Sequence, residues 1–179
     1  MREGARRADR DDLPRLAELY RTAAAQLSAR RGGALLAEQH GRAEPVEQTL
    51  DRILEERHRA AWVGTVDDHV VGYATGRTET LAGGTELGVV EELFVESGAR
   101  GVGVGEALMA ALLAWFVDRG CAGVDTMALP GDRLSKNFFE SSGFKARLIV
   151  MHRALPPQSA PGATLSSGRQ REPTPPSDP

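Results

Sequence analysis

Glu91-Glu92-Leu93-Phe94-Val95-Glu96-Ser97-Gly98-Ala99-Arg100-Gly101-Val102-Gly103-Val104-Gly105-Glu106 is the stretch on which the reading of the fold turns. Its apolar first third completes a strand predicted over Gly88 to Val95, with Val89, Val90, Leu93, Phe94 and Val95 apolar. A glycine-rich loop follows from Glu96 to Gly105, and then a helix over Glu106 to Arg119. That helix is apolar almost all round, which predicts burial. Gly101, Gly103 and Gly105 allow backbone N–H groups to turn inward without side-chain interference. They stand at a helix N-terminus, where unpaired N–H groups and the macrodipole favour an anion. Several converging N–H groups suit a pyrophosphate, and Arg100 adds a positive charge at the rim. The ATP-binding form of such a loop needs Gly-Lys followed by Ser or Thr, whereas Gly105 precedes Glu106 and Ala107. The dinucleotide form fails as well, because its third glycine would fall on Glu106. On glycines alone, a turn that merely joins strand to helix stays open.

Working outward, Ala61 to Val66 and Val70 to Arg77 flank Asp67-Asp68 and read as a hairpin, and Gly83-Gly84 mark another turn. Further upstream, residues 4–8 form a weak candidate edge strand. Asp11 and Asp12 offer an N-cap with Pro14 in the first turn. Leu13, Leu16, Ala17, Tyr20, Ala23, Ala24 and Leu27 then share one helical face, until Arg30 to Gly33 break the helix. A second helix is predicted from Pro45, with Val46, Leu50, Ile53, Leu54 and His58 inward. Downstream, Val124 to Leu129 read as a strand and Arg133 to Ser142 as a helix stopped by Gly143. Ala146 to Ala154 are predicted as a last strand. The order describes an α/β (α+β) domain with a mixed sheet, which alone assigns no function.

The 179 residues fit one domain with a core of its own. A net charge of −3 gives no reason to expect nucleic acid as a partner. Cys121 is the only cysteine, so no intramolecular disulfide forms; it reads as a small core residue. Met1 to Arg10 lack the apolar core of a signal peptide, and the longest apolar run, Ala107 to Val117, is too short to span a bilayer. A cytoplasmic location with no membrane contact is the expectation. His40, His58, His69 and His152 lack metal-ligand spacing, so no metal is predicted. Trp62 and Trp115 read as core. From Pro156 onward, seven of the last 24 residues are proline, and the rest are mostly polar. That composition predicts a disordered tail over 156–179.

Arg100-x-x-Gly103-x-Gly105 resembles the Gln/Arg-x-x-Gly-x-Gly/Ala signature of the GNAT (GCN5-related N-acetyltransferase) family. Val90-Glu91-Glu92-Leu93-Phe94-Val95 is similar to that family's central strand. Asp132-Arg133-Leu134-Ser135-Lys136-Asn137-Phe138-Phe139-Glu140-Ser141-Ser142-Gly143-Phe144 is similar to its second motif, Asn-x-x-Ala-x-x-Leu-Tyr-Glu-x-x-Gly-Phe. The resemblance covers about residues 4–155, with little contribution from residues 1–60, and implies an acetyltransferase domain over 1–155.

The resemblance implies a central mixed sheet with a splayed strand pair, acetyl-CoA as acyl donor and an amine as acceptor, a small molecule rather than a protein. In such a fold a bulge splays the central strand and opens a slot for the cofactor. The backbone of Leu93, Phe94 and Val95 would pair with the pantetheine arm. The Leu93 N–H would face the thioester carbonyl. N–H groups from Gly101 through Val102, Gly103, Val104 and Gly105 to Glu106 would hold the pyrophosphate beside Arg100. Asp132 and Ser135 stand where the family's Asn and Ala face the cofactor. Dimers are common in the family, so a homodimer is among the expected assemblies, with no residue here fixing its interface.

Attack on a thioester needs a neutral amine, and a free alkylamine is mostly protonated at neutral pH. A carboxylate near the slot can accept that proton. Glu91 and Glu92 are the candidates, with Glu91 favoured by the resemblance to polyamine-acetylating members. The competing reading makes one acid a solvated side chain and the other a cap on the bulge. The family's general-acid tyrosine is replaced by Phe139, which would pack against the pantetheine, and Tyr20 and Tyr73 lie outside both motifs. A thiol of pKa roughly 8.5 can still leave unprotonated. The missing tyrosine keeps a second function in view, an acyl-CoA-sensing module with little or no turnover.

Overall fold

The computed structural model describes residues 2–155; the predicted tail over 156–179 lies outside the described residues. Among the described residues, every helix and strand belongs to the unit Met1–Lys145, and the residues from Ala146 onward belong to a separate unit. In chain order the elements are β1 (Glu3–Arg7), α1 (Leu13–Ser28), α2 (Gly33–His40), α3 (Val46–Glu55), β2 (Arg59–Val66), β3 (His69–Thr80), β4 (Glu86–Val95), α4 (Val104–Asp118), β5 (Gly123–Thr126) and α5 (Arg133–Ser141).

The five strands form one sheet in the order β1-β2-β3-β4-β5. All neighbours are antiparallel except β4 and β5, which run parallel. Asp67 and Asp68 both adopt positive φ, 46° and 65°, the left-handed pair that a tight two-residue hairpin turn requires. Each strand shows alternate residues to two helical layers. Val63 and Tyr73 face α1 and α3, where Leu16, Leu19, Leu50 and Ile53 are fully buried. Ala60, Trp62 and Ala74 face α4, packed on Leu108, Leu112 and Phe116. Trp62 and Trp115 meet edge to face at 5.7 Å, as expected of core tryptophans. Glycine brings α4 this close: a Cβ at Gly88 would stand 2.6 Å from Phe116, and one at Gly76 2.8 Å.

Two features of the sheet create the site. The register of β3 against β4 slips between Thr75 and Gly76: Thr75 faces Glu92, while Gly76 faces Val90. Glu91 is the extra residue, so β4 carries a bulge. The bulge reverses the side-chain alternation: Val90 packs toward α4, and so do the odd-numbered Leu93 and Val95. In addition, β4 pairs with β5 only through Leu87 to Val90, against Gly123 to Thr126. Beyond Val90 the two strands part, which is the splayed pair that the family resemblance implied.

Several expectations need correction. Residues 146–154 form no strand; Leu148, Ile149, Val150 and Met151 are 72–88% exposed. Strand propensity is realised only when a neighbouring edge supplies a ladder, and no described residue does so here. The break after α1 is shorter than expected. Gly32, at φ 80°, turns the chain directly into α2, whose Ala, Leu and Glu favour helix. Asp12 is the N-cap residue of α1, as expected, but its side chain makes no cap bond to that helix; it accepts from the Asp9 amide, while Asp9 caps the 3-10 turn Arg10–Asp12 through the Asp11 amide. Finally, α4 is buried on one side only, with Val117 74% exposed.

Candidate active site

At the end of β4 the chain makes a short 3-10 turn over Ser97–Ala99 and then the glycine loop. Gly101 and Gly103 adopt φ values of 77° and 96°, and Gly103 caps α4. This conformation turns the backbone so that the N–H groups of Arg100 to Glu106 meet no acceptor among the described residues. The first bond that α4 makes at this end runs from the Ala107 amide to the Gly103 carbonyl. Seven consecutive unpaired donors at a helix N-terminus are an anion-binding arrangement. Arg100 turns back along the loop: its Nε donates to the Val95 carbonyl at 2.8 Å, and its guanidinium lies over the Phe94 ring. It clamps the loop to the strand end, and its Nη2 donates to Gln26 Oε1 of α1 at 3.2 Å.

The bulge places Glu91 and Glu92 on the same side of the sheet, the side of α1–α3. Both line a cavity of about 360 Å³ that extends to Met127, just past β5, and so reaches the parting of the strands. Each acid is paired. Arg42, from the loop between α2 and α3, donates to Glu92 Oε2 at 2.9 Å through Nη2, and Thr75 Oγ1 donates to the same oxygen at 3.2 Å. The Arg42 side chain is only 7% exposed. Arg59 Nη2 donates to both oxygens of Glu91 at 2.9 Å, with Arg77 Nε 3.6 Å away. Neither acid is simply solvated, and each belongs to an ionic cluster the sequence did not announce. Arg59 and Arg77 were recoverable in principle, being opposite each other on neighbouring strands with the parity of Ala61 and Thr75. Arg42 sits in an irregular loop and had no such signal.

Beside Glu92, Tyr73 is fully buried. Burial first, and then the charge of Glu92, hold its phenol well above the usual tyrosine range. The Tyr20 hydroxyl accepts from the Arg42 amide at 2.6 Å and so fixes the Arg42 loop. Neither tyrosine lies on the glycine-loop side of the sheet.

The second motif forms α5. Asp132 caps it, accepting from Ser135 N at 3.2 Å and Ser135 Oγ at 2.7 Å, and pairs with Arg30 at the end of α1. Burial raises the Asp132 pKa, but the Ser135 bonds and the Arg30 charge outweigh it, leaving the carboxyl below its ordinary value. Phe139 packs edge to face with Phe138 and Phe144 at 5.6 and 5.7 Å. Phe138 in turn lies against Gly105, where a Cβ would come within 3.2 Å of its ring. Thus α5 is seated on the start of α4, which brings the two motifs, distant in sequence, together. A further open groove of about 690 Å³ lies on the α1 side of the loop, against Phe94 and Glu96, and includes neither Glu91 nor Glu92.

Thus β4 is bulged, loses its pairing with β5 beyond Val90 and leads into the glycine loop that starts α4. A sequence model of the Acetyltransferase (GNAT) family matches residues 15–144. The chain belongs to the GNAT acetyltransferase family. It is an acetyl-CoA-dependent N-acetyltransferase, with a mixed five-strand sheet flanked by helices. Similar solved structures include the aminoglycoside acetyltransferase AAC(6')-Iy in complex with a bisubstrate analogue. It is 19% identical, with a TM-score of 0.68 over 87% of this chain and 99% of that one. The aminoglycoside acetyltransferase meta-AAC0020, from an uncultured soil metagenomic sample, in complex with sisomicin is 20% identical. Its TM-score is 0.65 over 87% and 97% of the two chains. A protein described as a transcriptional regulator from Bacillus halodurans C-125 is 20% identical, with a TM-score of 0.65 over 86% of this chain and all of that one. No curated protein sequence matches the chain. At these identities the structural likeness shows the fold of the acetyltransferase.

Proposed function

We propose that the acetyltransferase holds acetyl-CoA in the gap beyond Val90, between β4 and β5. There it acetylates the amine of a small molecule that enters through the cavity at Glu91 and Glu92. The observation that carries this reading is the row of unpaired N–H groups from Arg100 to Glu106 beside the parted strands. In this reading the amides of Gly101, Val102, Gly103, Val104, Gly105 and Glu106 grip the diphosphate, with Arg100 at the rim. The backbone of Leu93, Phe94 and Val95 pairs with the pantetheine. Asp132, Ser135 and Phe139 form the opposite wall.

Acetyl-CoA supplies an acyl group on a thiol leaving group. The Leu93 N–H donates to the thioester carbonyl oxygen and stabilises the charge that develops there. Glu91 accepts the proton of the attacking amine, directly or through water. Glu91 suits this better than Glu92 because its cation, Arg59, is 23% exposed, whereas Glu92 is clasped by a buried Arg42 and Thr75. Phe139 carries no proton, so the thiol departs as thiolate, which a pKa near 8.5 permits. The aminoglycoside acetyltransferases among the similar structures favour a small-molecule acceptor over a protein.

Thiol release from acetyl-CoA, followed over a panel of amines, tests this. Glu91→Gln is expected to lower kcat/KM about 10²–10⁴-fold, the usual loss of a general base, with acetyl-CoA affinity kept. Tight acetyl-CoA binding with no amine raising thiol release would replace this reading with the sensing one.

The catalytic domain is assigned to residues 1–155, so truncation after Leu155 is expected to preserve turnover. A homodimer is favoured by the exposed apolar run Leu148 to Met151, which solvent alone does not satisfy. Sedimentation velocity should report twice the 19.2 kDa chain mass. A monomer at high protein concentration would overturn that assignment. No helix among the described residues is long and apolar enough to cross a membrane. A cytoplasmic location, where acetyl-CoA is available and Cys121 stays reduced, fits the same reading, and cell fractionation checks it.

A further inference from the structure

The cavity at the bulge is walled by charge, and its cations outnumber its acids. Arg42, Arg52, Arg59 and Arg77 line it against Glu56, Glu91 and Glu92. The acids are already matched: Glu92 by Arg42, Glu91 by Arg59 and Arg77, and Glu56 by Arg59 at 3.9 Å. Arg52, on the last turns of α3, has no carboxylate partner among the described residues. Its neighbours Asp51 and Glu55 are taken by Arg10. Arg59 shows the same surplus one atom at a time. Its Nη2 serves Glu91, while its Nε is buried in the wall with no hydrogen-bond partner. A buried unpaired donor on a cation is unfavourable until an acceptor reaches it.

We propose that the acceptor is an amine that also carries an anionic group, a carboxylate in the simplest case, with the amine at Glu91 and the anion on the Arg52 side of the cavity. This rests on the acetyltransferase reading above and narrows its substrate class. A ligand with several ammonium groups is disfavoured here. It would bring further positive charge against Arg52, which has no carboxylate partner among the described residues. An amino carboxylate brings one charge of each sign, which matches a wall with one reactive acid and a surplus cation. Guanidinium groups also offer the fork that a carboxylate accepts in two bonds.

The test compares matched acceptors that share an amine and differ in charge at the far end. The probes are ω-amino carboxylates of three to six carbons, their primary amides, and kanamycin as a polycation. With the full chain and acetyl-CoA, at least one free acid is expected to exceed its amide and kanamycin in kcat/KM by about 10-fold or more, the yield of one charge-assisted hydrogen bond. Arg52→Gln should bring the acid-to-amide ratio toward one by raising KM for the acid. Arg57→Gln, an exposed arginine off the cavity wall, should keep the wild-type ratio. Equal rates for acid and amide, a preference for kanamycin, or an unchanged ratio in Arg52→Gln would overturn the proposal while leaving the acetyltransferase reading intact. If no amine releases thiol, the acetyltransferase reading is what fails. Calorimetry with the N-acetylated acids in the presence of CoA still decides the anion site: tighter binding to wild type than to Arg52→Gln upholds it, and equal binding overturns it.

Discussion

Arg42 holds Glu92 beneath the bulge of β4, with Nη2 2.9 Å from Oε2 and the guanidinium almost removed from solvent. The pair ties the irregular α2–α3 loop to the central strand at the point where that strand leaves β5. Tyr20 completes the tie from α1, its hydroxyl accepting from the Arg42 amide while its ring lies beneath the guanidinium. The acceptor side of the site is therefore held in shape by an ion pair in the protein interior, beside a carboxylate assigned to chemistry.

Removing one member of such a pair leaves an uncompensated buried charge. Glu92→Ala and Arg42→Ala are each expected to cost roughly 3–5 kcal/mol in urea unfolding. The double variant should be less destabilised than the sum, with a coupling of about 1–3 kcal/mol. Strict additivity would show that the two side chains do not depend on each other. The contrast with Glu91→Gln is the informative part: that change is expected to reduce turnover far more than stability.

Gly103 sits at φ 96°, a conformation that costs a side chain about 1–2 kcal/mol. Nearby space is limited only by the flexible Glu3 side chain, 3.2 Å from where a Cβ would stand, so a substituted chain should still fold. Gly103→Glu then puts a carboxylate where the diphosphate is proposed to lie. Loss of two charge-assisted hydrogen bonds at about 1.5 kcal/mol each corresponds to roughly a 100-fold rise in the Kd for CoA. Unchanged affinity, read by calorimetry, would remove the loop from the binding site.

Asp12 anchors the first helix to β1. Arg6 donates to both its oxygens at 2.7 Å, and the carboxylate also accepts from the Asp9 amide. Burial pushes its pKa up, but the Arg6 bonds, the Asp9 amide and the Arg6 charge outweigh it, and the carboxyl lies below its ordinary 3.8. A depressed folded-state pKa adds stability above the unfolded value and loses it as the pH falls through the folded one. Stability should therefore decline below about pH 3.8. Asp12→Asn should cost about 1–2 kcal/mol at pH 7, discounted because Arg6 is half exposed. The same variant should flatten the acid limb of the pH–stability curve. An unaltered limb would assign acid sensitivity to other carboxylates.

The loop from Arg100 to Glu106 was legible because its requirements are local. Positive φ at two positions and bare amides at a helix start need glycine at set intervals, and those glycines can be read in order. The hairpin at Asp67-Asp68 and the stop at Gly143 were legible for the same reason. The segment Ala146–Ala154 misled, because an apolar run encodes a capacity for strand and not the partner edge that realises it. The helix α2 is not legible in the sequence because its short Ala-Leu-Leu-Ala run follows a glycine break that ends the α1 periodicity.

Chain order alone thus determined most of the element types, the family signature and the glycine loop, since each depends on residues within a turn or two of one another. Only the tertiary structure decided what Glu91 and Glu92 face. One extra residue in β4 turns both acids to the same side, and arginines from positions 42, 59 and 77 converge on them across three elements. Ionic partnership depends on distances in space between residues far apart in the chain, and no local pattern records those distances.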